Sequence, residues 1–342
     1  MQDVSPEQRK EAQDSVSKKQ RRPEEKYGPP DVVQIRDIEK PVPKDNEVLI
    51  RIRAAAVNPL DWHLMRGEPY VVRAMCGLLK PKITQLGVDV AGQVEAVGTK
   101  VTQFKSGDEV FGACRGAFAE YACSPESSLA TKPRNLTFEQ AGAVSVAGRT
   151  ALQGLRDKGQ IQAGQKVLIN GAAGGVGTFV VQIAKSFGAD VTGVCSTRNL
   201  DMVRSIGADR VIDYTQEDFA KSGQRYDIFF DCFANHSLFA CRRVLNPEGI
   251  YIAVGGPSDP WMISFLGRVI AGPSLSGLTS QKFVTFMTRS SKEYLRILAE
   301  LMEAGKVTPV IDRRYRLSEV PEAIRYLEEG HARGKVVITL EC

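Results

Sequence analysis

From Val48 to Val57 the chain places β-branched and small apolar residues around Arg51 and Arg53. That alternation predicts a strand with one wet face. Val88 to Val97 predicts a second strand, punctuated by Gly87, Gly92 and Gly98. Lys105 to Val110 has the composition of a turn feeding a further strand, and Gly116 to Cys123 predicts another. Short strands between glycine-rich turns imply a compact, largely β, barrel-like domain.

The pattern changes near Thr137. Phe138 to Arg156 reads as helix, with breaks at glycine. From Val167 onward strands and helices alternate. Strands are expected at 167–170, 190–195, 210–212, 226–231 and 249–254. Helices are expected at 176–187, 199–206 and 238–244. This rhythm predicts a doubly wound α/β domain, a parallel sheet with helices on both faces. Lys292 to Ala304 is an amphipathic helix. Leu317 to Glu329 is another, with Ser318 as its candidate cap and Pro321 in its first turn. A last strand, 336–340, is expected to pair back with the N-terminal domain.

A length of 342 residues and 43% hydrophobic content accommodate two domains with real cores. The net charge of +5, with aromatics not interleaved among basic runs, argues against a nucleic-acid partner. No run reaches the ~20 apolar residues of a membrane helix. Trp261 to Ile270 is short, contains Arg268, and reads as buried or substrate-lining. Seven cysteines, loosely spaced, favour reduced thiols in a cytoplasmic protein. Residues 1–26 are polar and mixed in charge. They read as a disordered tail, or in part a surface extension, without the apolar core of a signal peptide.

The strongest chemical signal is Gly171-Ala-Ala173-Gly174-Gly175-Val176-Gly177, between a predicted strand and a predicted helix. Gly171 permits the turn, Gly174 and Gly175 leave room for phosphate oxygens, and Gly177 lets helix and strand approach. The helix N-terminus then offers free amides and a positive dipole end to a pyrophosphate. The strand–turn–helix context separates this spacing variant from a chance glycine run.

NAD-selective sites carry a carboxylate at the end of the second strand. Here that place holds Cys195-Ser196-Thr197-Arg198-Asn199, with no acid in sequence until Asp201. Hydroxyls and a guanidinium suit a 2′-phosphate, so NADPH is the expected cofactor. Tyr214, after the third strand, is a candidate flank for the adenosine phosphate. Ordinary packing for Tyr214 and ordinary surface exposure for Arg198 are the competing readings.

Only His63, His236 and His331 are present, none clustered with cysteine, and no C-x2-C pair occurs. No metal site is expected. His236 reads as a capping or loop residue and His331 as a surface one. Without a Lewis acid, the enzyme needs other donors or an acceptor that takes hydride more readily; quinones and carbonyl-conjugated alkenes, whose oxyanion or enolate needs only hydrogen bonds, fit the second case.

The ordered motifs Asn58-Pro-Leu-Asp61-Trp-His63-Leu-Met-Arg66-Gly67, Gly87-Val-Asp89-Val-Ala-Gly92 to Gly98, Gly107-Asp108 to Gly112, Gly171 to Gly177, Gly207 to Tyr214 and Gly334-Lys335 span the chain from about Tyr27 to its end. In these the chain resembles the medium-chain dehydrogenase/reductase superfamily, in its zinc-free NADPH:quinone oxidoreductase branch. The resemblance implies a GroES-like catalytic domain (27–146 and 277–342), with a Rossmann nucleotide-binding domain (147–276) inserted. It also implies a homodimer with an active-site cleft between domains. Zinc-dependent relatives have cysteine at Asn58 and Gly-His-Glu at Gly87-Val88-Asp89. Their four-cysteine lobe is missing after Cys114. The resemblance places Asn58 and Asp61 near the nicotinamide and brings Thr150 close to the cofactor. Lys335, from the last of these motifs, and Gly255, just after a later parallel strand, complete the expected cofactor set. His63, where many relatives hold tyrosine or lysine, is a candidate proton donor; a satisfied histidine beside the cleft is the weightier reading. One departure is Gln20 to Lys26, too charged for the apolar strand with which the family opens.

The expected function is NADPH-dependent hydride transfer to a small apolar quinone or α,β-unsaturated carbonyl. The loops at 233–235 and 255–257 are expected to line the cofactor, and 261–286 to cap the substrate. The alternatives are an enoyl-thioester or alkenal double-bond reductase, and an NADPH-binding redox sensor without robust turnover.

Overall fold

A computed structural model describes residues 16–21, 26–68, 70–255, 272, 276–277 and 279–340. The chain divides into two compact units. The first comprises residues 1–145, 313–330 and 336–342. The second comprises 146–312 and 331–335.

In the first unit, β1 (Val16–Arg21) pairs antiparallel with β2 (Gln34–Glu39) in a two-stranded ribbon. Of the stretch 1–26, expected as a disordered tail or in part a surface extension, Val16–Arg21 forms this strand. Its partner β2 is exposed along almost its whole length, so this pairing is not a core strand. Strand β3 (Glu47–Val57) is the axis of a larger, seven-stranded sheet. It is followed by α1 (Pro59–Arg66), α2 (Tyr70–Cys76), β4 (Asp89–Val97), β5 (Glu109–Ala113), β6 (Tyr121–Pro125), β7 (Leu129–Thr131) and α3 (Phe138–Gly142). One edge of β3 pairs with β4. The other edge pairs with β6 over its first half and with the chain's last strand over its second. Both edges of β3 are therefore paired, and Val48, Ile50 and Ala54 to Ala56 are fully buried.

The strand expected at 116–123 begins only at Tyr121. Gly116, Ala117 and Phe118 instead donate their amides to the carbonyls of Gly87 and Leu86. Local apolar content there serves a loop-to-loop clasp, which a period-two pattern does not reveal.

The second unit starts with α4 (Ser145–Leu152), whose end widens into a π turn over Gln153–Lys158. Then come β8 (Lys166–Asn170), α5 (Gly175–Ser186), β9 (Asp190–Cys195), α6 (Leu200–Ser205), β10 (Arg210–Asp213), β11 (Tyr226–Asp231), α7 (Leu238–Arg243), β12 (Leu245–Ala253), β13 (Lys282–Thr285) and α8 (Lys292–Glu303). The six strands are parallel, in the order β10-β9-β8-β11-β12-β13. The order reverses between β8 and β11, the switch point at which open α/β sheets bind ligands. The unit extends past residue 276, where the sequence pattern ends it, because β13 adds a sixth strand on β12. An aromatic ladder of Phe219, Phe229, Tyr251 and Phe283 packs under the sheet, with ring centroids 5.3–5.7 Å apart.

The return to the first unit consists of β14 (Ile311–Arg316), α9 (Val320–Glu328) and β15 (Lys335–Thr339). As its sequence predicts, β15 pairs with the N-terminal part of the chain: Val336 to Thr339 run antiparallel to Ala54 to Val57 of β3.

Candidate functional site

The glycine turn lies at the carboxyl end of β8. Gly171 has φ +81°, a left-handed conformation that an L side chain strains. At Gly177 a Cβ would stand 2.1 Å from the Gly171 carbonyl oxygen, so the turn and the helix touch backbone to backbone. Gly174 differs. A Cβ there would meet nothing closer than 3.4 Å. Protein packing does not demand a glycine at 174, so the open space in front of it is room for a ligand. The helix α5 has no side-chain cap, and its first amides face that space. Gly174 also forms a parallel bridge with Gly334, and the Lys335 stem passes 3.1 Å from where a Gly175 Cβ would lie. These features fit a dinucleotide pyrophosphate. Ala173 and Val176 complete the turn.

The next strand end carries Ser196, Thr197 and Arg198, as the sequence predicts. Thr197 and Arg198 are exposed. Ser196 Oγ accepts a hydrogen bond from Asn199 (3.1 Å), and Tyr214 is 59% exposed beside the loop, its amide bonded to the Cys195 carbonyl. The tertiary structure adds two groups that the sequence left out. Thr197 Oγ1 donates to Asp213 at 2.6 Å, so a carboxylate stands at this end of the sheet after all, delivered by β10. Its charged form is favoured first by the Thr197 bond and further by Thr215. Arg333 is the second addition. Its guanidinium donates to the Arg198 carbonyl (3.2 Å), while that of Arg198 donates to the His331 carbonyl (2.7 Å). The short return segment 331–335 thus brings a second cation against the loop. The one local sign was its neighbour in the Gly334-Lys335 motif.

At the switch point, Asp231 ends β11 fully buried. Four donors answer its carboxylate: Asn170 Nδ2 (2.9 Å), the amides of Phe233 (3.1 Å) and Ala234 (2.7 Å), and Tyr251 Oη (2.8 Å). This clamp fixes the loop expected to line the cofactor. Gly255, at the end of β12, abuts it: a Cβ there would lie 2.3 Å from the Cys232 carbonyl oxygen. Burial, helped by Asp231, pushes the Cys232 thiol well above its ordinary range, and burial pushes Cys195 up to about 11. Neither is a ready thiolate. Thr150 is 7% exposed, and its hydroxyl contacts the Val146 carbonyl and Thr288 Oγ1, each at 2.8 Å. His236 follows β11, within 3.0 Å of Asn235 and 3.3 Å of Asp218, and His331 is exposed.

In the first unit, Asn58 and Asp61 are 2% and 0% exposed. Asp61 accepts the Asn58 amide (2.8 Å) and the Gly87 amide (2.9 Å), while Asn58 Nδ2 donates to Ala56 O (3.2 Å) and to buried Asp89 (3.1 Å). They fasten the start of α1 to the start of β4. His63 is half-buried, stacked on Trp62 at 3.7 Å, with Nδ1 2.8 Å from the Glu68 carbonyl. A carbonyl only accepts, so Nδ1 carries the proton and Nε2 of the neutral ring is an acceptor. Burial pulls the His63 pKa below 6.5, against the opposing pull of Glu68 and Glu328. The neighbouring Arg66 forms a bidentate pair with Glu328 (2.5 and 3.0 Å).

Among the described residues no three His, Cys, Asp or Glu side chains are grouped to hold a metal, and no disulfide joins the six described cysteines. No helix among those residues is long and apolar enough to cross a membrane. Of the segments expected to line the substrate and cofactor, 256–271 lies outside the described residues.

Residues 44–134 match the alcohol dehydrogenase GroES-like domain, and residues 206–338 match a zinc-binding dehydrogenase domain. The chain is 35% identical to 2-methylene-furan-3-one reductase of Solanum lycopersicum, over 91% of this chain and 76% of that protein. It belongs to the medium-chain dehydrogenase/reductase superfamily. Another relative, the chloroplastic NADPH-dependent alkenal/one oxidoreductase of Arabidopsis thaliana, is also 35% identical, over 91% of this chain and 77% of its own. Among solved structures of the superfamily, the quinone oxidoreductase of Coxiella burnetii superposes with a TM-score of 0.82 at 29% identity, covering 96% of this chain and 100% of that one. The two units are accordingly the GroES-like and Rossmann-like domains. The zinc-binding label of one domain model has no counterpart in a ligand cluster among this chain's described residues.

Proposed function

We propose that this protein is an NADPH-dependent reductase of quinones or α,β-unsaturated carbonyls that works without a metal ligand set. The observation that carries this reading is the open phosphate cradle at Gly174, with Arg198 and Arg333 held at the adjacent strand end. Gly171 to Gly177 hold the pyrophosphate, the Lys335 stem lies against them, and Ser196, Thr197, Arg198 and Tyr214 receive the 2′-phosphate end. Asp213 opposes that phosphate, but the hydroxyls of Thr197 and Thr215 and the Thr215 amide already occupy its oxygens. When bound, the reduced nicotinamide supplies a hydride to the acceptor. Gly255 and Thr150 shape the pocket around the cofactor.

Asn58 and Asp61 act as positioning residues, since their polar groups are engaged and buried. The lowered pKa of His63 favours the neutral ring, whose Nε2 can accept but not donate, so the product's proton comes from solvent. The names of the relatives, reductases of a furanone, alkenals and a quinone, support this substrate class. A cytoplasmic homodimer belongs to the same reading. Six described cysteines without a disulfide suit a reducing compartment, and the outer edge of β13 has no partner strand among the described residues.

The test is NADPH oxidation with a quinone, an enone and an enoyl thioester, each repeated with NADH. Faster turnover of the quinone or enone with NADPH is expected. Tight NADPH binding without turnover of any of the three would overturn the enzyme reading in favour of a sensor.

A further inference from the structure

A cavity of about 540 Å³ lies in the Rossmann-like unit beside α7. Arg225, Arg242 and Arg243 line it, with Ser237, Phe239 and Gln281. Arg225 directly precedes β11 and Gln281 directly precedes β13. The cavity therefore runs along α7 toward the N-terminal edge of the sheet, away from the glycine turn at the opposite strand ends.

Three guanidiniums, always charged, share this space. Among the described residues none of the three forms an ion pair, and no acidic residue is among the described lining. A simpler role for Arg242 and Arg243 would be to answer the carbonyls at the end of α7. Gln281 already takes the Arg242 carbonyl and ties that helix end to the first residues of β12. Its Nε2 donates to the carbonyls of Arg242 (3.2 Å), Leu245 (3.1 Å) and Asn246 (3.2 Å). Nor does the helix end explain Arg225, which comes from another element. Like charges gathered in one concavity without a counter-charge are a site for an anion. One wall is the Phe239 ring, 69% exposed, an apolar face with no protein cover. The volume falls in the range of small-molecule sites.

We propose that this cavity binds the polyphosphate of a nucleoside triphosphate, with the guanidiniums on the phosphates and the Phe239 ring against the base. It is a second nucleotide site, separate from the dinucleotide cradle.

The test is calorimetric titration of the NADPH-saturated protein with ATP and, separately, with inorganic tripolyphosphate. Saturable binding of one ATP per chain is expected. Arg225→Gln with Arg243→Gln should weaken both probes by about tenfold or more, because charge-assisted phosphate bonds are lost. Phe239→Ala should weaken ATP and leave tripolyphosphate unchanged. A control pair, Arg296→Gln with Lys306→Gln, removes equal charge elsewhere and should change neither. Unchanged thermal unfolding and NADPH turnover would show that the variants fold. Absence of saturable binding, or equal weakening by the control pair, would overturn the site. Unchanged ATP affinity in Phe239→Ala would overturn its nucleoside part and leave a bare polyphosphate site.

Discussion

Thr197 and Asp213 sit 2.6 Å apart, hydroxyl to carboxylate, at the end of the sheet where a 2′-phosphate is expected. The contact keeps Asp213 ionised well into the acid range, so a negative charge faces the proposed phosphate site at all working pH values. Asp213→Asn should therefore tighten NADPH by about two- to five-fold, the scale of a solvent-exposed charge interaction, and leave NADH nearly unchanged. Fluorescence titration with both cofactors checks this. Weaker NADPH binding would mean that Asp213 matters chiefly for holding Thr197.

Arg198 and Arg333 should act in the opposite direction. Either arginine replaced by alanine should weaken NADPH by about ten- to a hundred-fold, the worth of a charge-assisted phosphate bond, with a much smaller effect on NADH. Equal losses for the two cofactors would refute the 2′-phosphate assignment. A loss confined to Arg198→Ala would place Arg333 outside the site.

The glycines of the turn should separate into two kinds. Gly177→Ala drives a Cβ into the Gly171 carbonyl, at 2.1 Å, and should destabilise the fold by about 1–3 kcal/mol as well as weaken the cofactor. Gly174→Ala has room against the protein and should unfold at the wild-type temperature while losing NADPH affinity. Matched thermal scans and cofactor titrations distinguish the two.

Removing the buried carboxylate of Asp231 leaves four donors unanswered. Asp231→Ala should cost about 3–5 kcal/mol in urea unfolding, whereas Tyr251→Phe, which deletes one donor, should cost about 1 kcal/mol. Similar costs for the two would mean that the clamp is not a cooperative unit.

His63 carries a pH signature. Its folded pKa lies below the unfolded value of 6.5, so the unfolded chain binds more protons between the two. Stability from this group is intact above 6.5 and falls as pH drops through 6.5 toward the folded pKa. His63→Gln should flatten that slope in chemical denaturation between pH 5 and 8. Because Nδ1–H is committed to the Glu68 carbonyl, His63→Gln should also leave kcat nearly unchanged above pH 7. A large loss there would restore His63 as a proton donor.

Local pattern was enough to specify much of this protein. The strand–turn–helix at Asn170 to Val176, the alternation through Ala253 and the last strand are carried by periodicity and glycine placement, which act over a few residues. So is the candidate phosphate cradle, because one short segment makes it. Tertiary structure decided the rest. Asp213, Asp231 and Arg333 reach the candidate site from strands and a return segment far away in sequence, where one carboxylate or guanidinium looks like any other. The ribbon at Val16 to Arg21 exists because its partner strand is present, not because its own residues seek burial. Whether a polar group binds, positions or merely satisfies a neighbour depends on which donors and acceptors face it. That pairing is set only when distant segments pack together.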